Sequence, residues 1–234
     1  MAIKIEALTK IYSTAEAKVT ALAPTTLSFA DYSFTTIVGK SGCGKTTLLR
    51  LLAGLEKPTA GTLSFASKKP EIGFVFQEPR LMPWLTVSEN IAFATCKGGM
   101  SKEKLPQLLA TLGLSAFASS YPSELSGGMA QRTALGRTLF QNPDIILMDE
   151  PFGALDYFTR KGLQETLLEL FRKERKTIIF VTHDVEEAIL LGERVLIMQK
   201  GSITGDIPVK LSYPRDPAAS EVLSLRRQIL AGLE

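Results

Sequence analysis

"GKSGCGKTT", residues 39–47, lies between an apolar, β-like run, "FTTIV" (34–38), and a run with helical periodicity, "TTLLRLLAGL" (46–55). It fits G-x-x-x-x-G-K-[ST]. A strand before that pattern and a helix after it are the context that separates a phosphate-binding loop from an ordinary glycine-rich turn. Glycines let the backbone wrap so that successive N–H groups converge on an anion. Gly39, Lys40, Ser41, Gly42, Cys43, Gly44, Lys45, Thr46 and Thr47 are therefore candidate nucleotide-binding residues. Lys45 is expected to reach the β- and γ-phosphates and Thr46 to place its hydroxyl on Mg²⁺. Cys43 reads as a small filler of the loop, or as a thiol made reactive by a helix N-terminus.

Downstream, "DIILMDEP" (144–151) and "TIIFVTHD" (177–184) are continuous apolar runs, as central strands covered on both faces require. Each ends in chemistry. Asp149 is placed to hold Mg²⁺ through its water shell, and Glu150 to orient or deprotonate an attacking water. His183 terminates the second run and is a candidate donor to the γ-phosphate or that water. Gln77, closing "IGFVFQ", is a third polar strand end, able to contact Mg²⁺ or the water. Phosphoryl transfer leaves a protein little covalent work, so positioning and charge stabilisation dominate.

"SELSGGMAQRTALGRTLF" (123–140) reads as a helix whose first turn lacks side chains. Ser126 is a good N-cap, Gly127 and Gly128 leave backbone N–H groups uncovered, and Asn142-Pro143 stops the helix. Such an end suits an anion, because its unpaired N–H groups and the helix dipole point positive charge outward. No lysine accompanies it.

The bulk numbers exclude several classes. With 234 residues and 45% hydrophobic content the chain has ample material for a core. The 27 basic and 24 acidic residues are too balanced to mark a nucleic-acid binder by electrostatics. Cys43, Cys96 and the single histidine cannot make a structural zinc site, and a disulfide is not expected, which points to a reducing compartment. No apolar run approaches ~20 residues, the length of a membrane span. "MAIKIEALTK" lacks the apolar core of a signal peptide. The expectation is a soluble, cytoplasmic chain that meets membranes only through a partner. Alternating strands and helices imply an α/β core with a parallel sheet. The Pro- and helix-rich stretch after residue 78 reads as an inserted subdomain.

Taken in order, the motifs resemble those of ATP-binding cassette (ABC) ATPases. The matches are the P-loop (39–47), the Q-loop Gln77, the signature "LSGGMAQ" (125–131), the Walker B strand (145–150), the D-loop "GALD" (153–156) and the switch His183. Tyr12 matches the aromatic residue on which that family stacks adenine. The resemblance implies a P-loop NTPase core with a mainly parallel sheet, an N-terminal antiparallel β-subdomain and an inserted helical subdomain. A single ABC domain would span 1–234: core and β-subdomain in 1–78 and 144–205, the helical subdomain with the signature in 79–143, and a tail in 206–234. It also implies ATP and Mg²⁺ as cofactors and a homodimer. Ser126, Gly127, Gly128 and Gln131 of one copy would meet ATP held by Lys45 of the other, with the D-loop Asp156 at the dimer contact.

More narrowly, "QEPRLMPWLTVSENIAFA", "EPFGALD" and "THDVEEA" resemble cassettes of nitrate/sulfonate/taurine-type importers. That likeness implies two transmembrane permease subunits, a separate substrate-binding protein and a peripheral place on the inner face of the cell membrane. The solutes of the group include nitrate, sulfonates, taurine and pyrimidine precursors of thiamine. Leu81, Met82, Pro83 and Trp84 read as a groove for a permease helix or as subdomain core. Lys40 stands where a proline is frequent, "ADYS" lacks the usual glycine turn, and Ala130 occupies a position more often polar. A rival class is the cassette ATPase acting on nucleic acid. Its maintenance and repair members insert a very long coiled coil between P-loop and signature, and here that interval is short, so no direct nucleic-acid partner is expected.

Overall fold

The computed structural model describes residues 3–13, 17–66, 70–93, 102–153, 155–174 and 176–234; Cys96 and Ala154 of the D-loop lie outside them. In chain order the strands are β1 (Ile3–Ser13), β2 (Lys18–Phe29), β3 (Phe34–Val38), β4 (Ala60–Phe65), β5 (Ile72–Val75), β6 (Ile145–Asp149), β7 (Thr177–Thr182), β8 (Arg194–Gln199) and β9 (Ser202–Pro208). The α-helices are α1 (Lys45–Leu52), α2 (Val87–Ala92), α3 (Leu105–Thr111), α4 (Gly127–Phe140), α5 (Tyr157–Glu174), α6 (Val185–Leu191) and α7 (Ser220–Ala231). The chain divides into two compact units, Met1–Lys69 with Thr177–Glu234, and Pro70–Lys176.

In the first unit β2, β1 and β4 form an antiparallel sheet. Ile3 and Ile5 point inward while Lys4 and Glu6 face solvent, the period of two that a half-covered strand requires. Strands β7, β3 and β8 run parallel, and β9 returns antiparallel beside β8. Every residue of β3 and of β7 is buried, which is why both read as unbroken runs rather than alternations. Lys200 and Gly201, both at positive φ, make the two-residue turn of the β8–β9 hairpin. Helices α6 and α7 cover one side, with Val38, Val185, Ile189, Ile197, Val222 and Ile229 in their shared core.

In the second unit β5 and β6 pair in parallel and α2, α3 and α4 pack together. Gly136 permits that packing: a Cβ there would lie 2.7 Å from Leu112 Cδ1 and 3.0 Å from Ile91 Cδ1. Helix α2 opens with a capping box between Thr86 and Glu89. Asn90, fully buried, accepts from Met82 N and donates to the carbonyls of Met82, Leu85 and Thr86. That single amide pins the loop carrying Trp84.

Two elements differ from the sequence reading. Strand β2 runs from Lys18 to Phe29, although Pro24 and shifts in the β1–β2 register hide its alternation in the sequence. Helix α6 was not anticipated, although Asp184 caps it by accepting from Glu186 N and Glu187 N, with two acids in the first turn.

Candidate functional site

The phosphate loop leaves β3 in the first unit and feeds α1. Gly44 has φ +106°, and a Cβ on it would lie 2.2 Å from Ala21 O. A Cβ on Gly39 would meet Met198 O at 2.3 Å. These glycines are demanded by the close approach of neighbouring backbone. Lys45 is buried, and its Nζ donates to Gly39 O (2.8 Å) and Lys40 O (3.2 Å), so the ammonium is drawn into the loop. The hairpin turn clips the loop from outside: Gly201 N donates to Cys43 O at 2.9 Å, and Gly201 O accepts from Ala23 N at 2.8 Å. Cys43 is itself buried, with its Sγ close against Gly39, which supports the filler reading over a reactive thiol.

His183 follows β7 at the same sheet edge as the loop. Val38 pairs with Thr182 in the parallel register, so Gly39 and His183 leave adjacent strands side by side. His183 is exposed. Thr182 Oγ1 accepts from Asp184 N, which fixes the turn just beyond it. Tyr12 ends β1 with its ring more than a third exposed and its hydroxyl donating to Glu56 Oε2 at 2.5 Å.

The second unit repeats the arrangement. Val75 pairs with Met148, so Gln77 and the pair Asp149–Glu150 emerge at one edge of the β5–β6 ladder. Asp149 is buried, Gln77 is exposed, and Glu150 sits at φ +44°, where the strand turns sharply. The segment around Gln77 is held by Arg137 of α4, whose guanidinium donates to Arg80 O (2.9 Å) and Pro79 O (3.0 Å). Arg80 lies at positive φ with its guanidinium 4.2 Å from the centre of the Phe76 ring. Burial lowers the Arg137 pKa from its ordinary value, although an arginine stays charged.

Helix α4 begins as the sequence implied. Ser126 Oγ accepts from Met129 N at 3.3 Å, and a Cβ on Gly127 would meet nothing within 4 Å. Gly128 rests near Thr159 Cγ2 and Leu155 Cδ2, so the signature turn and the start of α5 adjoin. Asp156 caps α5, its Oδ1 accepting from Phe158 N and Thr159 N at 3.1 Å each. Hydrogen bonds from Thr159 hold that carboxyl below its usual pKa.

The Gln131 side chain is buried and its Nε2 donates to Phe76 O at 3.2 Å, so its amide is engaged within the chain. The helical period explains this: Thr138, seven residues on and on the same face, bonds Phe74 O. Gln131 therefore tethers α4 to the residue before Gln77. Trp84 is 68% exposed, which removes it from the subdomain core. Sequence reasoning missed Arg137, Asn90 and Glu56, whose partners are carbonyls and side chains that no local pattern announces.

In the first unit a glycine loop feeds a helix that opens on lysine beside a parallel strand followed by His183, and in the second a buried parallel strand ends in Asp149–Glu150; these are the parts of a P-loop nucleotide hydrolase. The sequence profile of the ABC transporter family matches residues 22–153, more than half the chain. The chain is 41% identical to the aliphatic sulfonates import ATP-binding protein SsuB of Bacillus subtilis (strain 168), across 100% of its own length and 95% of that protein. It is 46% identical to SsuB 1 of Pseudomonas savastanoi pv. phaseolicola over 88% of this chain and 87% of that one. Its fold matches the dimeric, post-hydrolysis ATP-binding cassette MJ0796 bound to ADP and Pi with a TM-score of 0.81 and 33% identity, covering 90% of this chain and 100% of the other. The chain belongs to the ABC transporter family and is its ATP-hydrolysing cassette. No helix among the described residues is long and apolar enough to cross a membrane.

Proposed function

We propose that the chain powers an importer of a small solute of the nitrate, sulfonate, taurine or thiamine-precursor type, working as a pair of identical copies closed over two ATP–Mg²⁺. The relatives named for aliphatic sulfonate import support the direction and the solute class. Two permease subunits and a substrate-binding protein complete the system, and the cassette sits on the inner face of the membrane through the permease. The exposed Trp84, on a loop pinned by Asn90, is offered to the permease. Functionally, 79–143 is the helical subdomain and 206–234 the tail.

Lys45 and the backbone N–H groups of 39–47 bind and neutralise the β- and γ-phosphates. Thr46, Gln77 and Asp149 are hard oxygen donors suited to Mg²⁺ that remains mostly bound to water and phosphate; the ion, when bound, neutralises charge developing on the phosphates. Glu150 orients the attacking water and accepts its proton, and His183 hydrogen-bonds the γ-phosphate. Ser126, Gly127 and Gly128 of the second copy receive that γ-phosphate, with Asp156 beside them. Loss of the γ-phosphate removes what the closed pair binds preferentially, and the pair opens.

The observation that carries this reading is the bare first turn of α4, open around Gly127 and lacking any cation of its own. Gly127→Asp puts a carboxylate where an anion is to sit. ATP binding by a single copy should be retained while turnover falls at least a hundredfold; unchanged turnover refutes the shared site.

A further inference from the structure

We propose that Glu56 is a positioning residue that fixes the Tyr12 ring relative to the phosphate loop and thereby sets how tightly the base of the nucleotide is held. The proposal rests on the reading of Tyr12 as the base-stacking residue.

The Tyr12 hydroxyl is anchored while its ring remains accessible. It donates to Glu56 Oε2 at 2.5 Å. Glu56 is held in turn from two sides. Lys10 Nζ lies 3.5 Å from Oε2 and Arg50 Nη1 3.4 Å from Oε1. Lys10 also donates to Lys57 O at 2.9 Å and sits 4.9 Å from the centre of the Tyr12 ring. The backbone places Glu56 there as well: Leu55 N and Glu56 N both donate to Arg50 O, closing α1 behind Gly54 at φ +68°. Helix α1 thus carries the phosphate-binding residues at its first turn and delivers Glu56 from its last.

The charges favour a permanent arrangement. Burial would raise the Glu56 pKa, but the Tyr12 hydroxyl, Lys10 and Arg50 outweigh it and hold the carboxyl below its usual range. Burial and the neighbouring carboxylate keep the Tyr12 hydroxyl protonated above its usual value. The donor and the acceptor therefore keep their roles across neutral pH. A carboxylate beside a triphosphate site would repel the ligand if bare, and here two cations flank it. Holding an aromatic ring before the ligand arrives removes an ordering cost of about 0.5–1.5 kcal/mol per side chain, which is roughly a twofold to tenfold change in affinity.

Inorganic triphosphate tests this because it occupies the phosphate loop but has no base. Calorimetric titration of the full chain with Mg–ATP and Mg–triphosphate gives a ratio of dissociation constants that cancels any general change in charge or loop integrity. Glu56→Gln and Tyr12→Phe should each reduce the preference for ATP by roughly twofold to tenfold, the loss falling on ATP affinity rather than on triphosphate affinity. In turnover, Glu56→Gln should raise the KM for ATP and alter kcat by less than about twofold, since no transition-state contact is lost. Tyr12→Ala should abolish the preference. If Tyr12→Ala leaves the preference intact, the stacking role fails and the proposal with it. If Tyr12→Ala removes it but Glu56→Gln and Tyr12→Phe do not, stacking stands and Glu56 has no positioning role. Equal weakening of both ligands by Glu56→Gln marks a damaged loop and also overturns the proposal.

Discussion

Gly44 shows how much one missing side chain carries. Its φ of +106° and the 2.2 Å approach of Ala21 O leave no room for a Cβ. Gly44→Ala is expected to weaken nucleotide binding roughly tenfold to a hundredfold, the equivalent of the ~1–3 kcal/mol that such backbone strain stores. Calorimetry with a circular dichroism control checks it, and near-normal affinity would show that the loop deforms freely. The glycines and Lys45 were legible in the sequence because the phosphate loop is a local pattern of steric need. The bond from Gln131 to Phe76 O was not, because it joins residues 55 apart in sequence.

Among the elements, the central strands were the most legible, since strands buried on both faces leave continuous apolar runs. Helix α6 and the tail were the least. What holds α6 is distant in sequence: Arg215 donates to Ile189 O (2.5 Å), Gly192 O (2.6 Å) and Leu211 O (3.0 Å), and stacks on Tyr213 at 4.1 Å. The Tyr213 hydroxyl donates to Leu191 O at 2.5 Å, and burial pushes its pKa up to about 12. These groups satisfy the carbonyls left over at the end of α6, a task usually met by a local cap. Arg215→Ala leaves those carbonyls without their charged donor, at a cost of about 2–4 kcal/mol. Thermal denaturation should show a fall in Tm on the order of 5–10 °C; a shift of under about 1 °C would mean that the tail contributes no clamp.

For the whole molecule, the order of motifs along the chain announced the family before any coordinate did, and the family profile and relatives agree with it. The two units each bring polar residues to the ends of parallel strands: His183 beside the phosphate loop in one, Gln77 beside Asp149 and Glu150 in the other. What no composition or periodicity could supply is the partner of the α4 N-terminus, which the proposed shared site assigns to a second copy. A related cassette of the same fold is dimeric.

The direct measurement is the mass of Glu150→Gln in solution with and without ATP, by light scattering after size exclusion. Binding without hydrolysis should trap the closed pair, so the account predicts a shift from monomer to dimer on adding ATP and none with ADP. A variant that binds ATP and stays monomeric would contradict it.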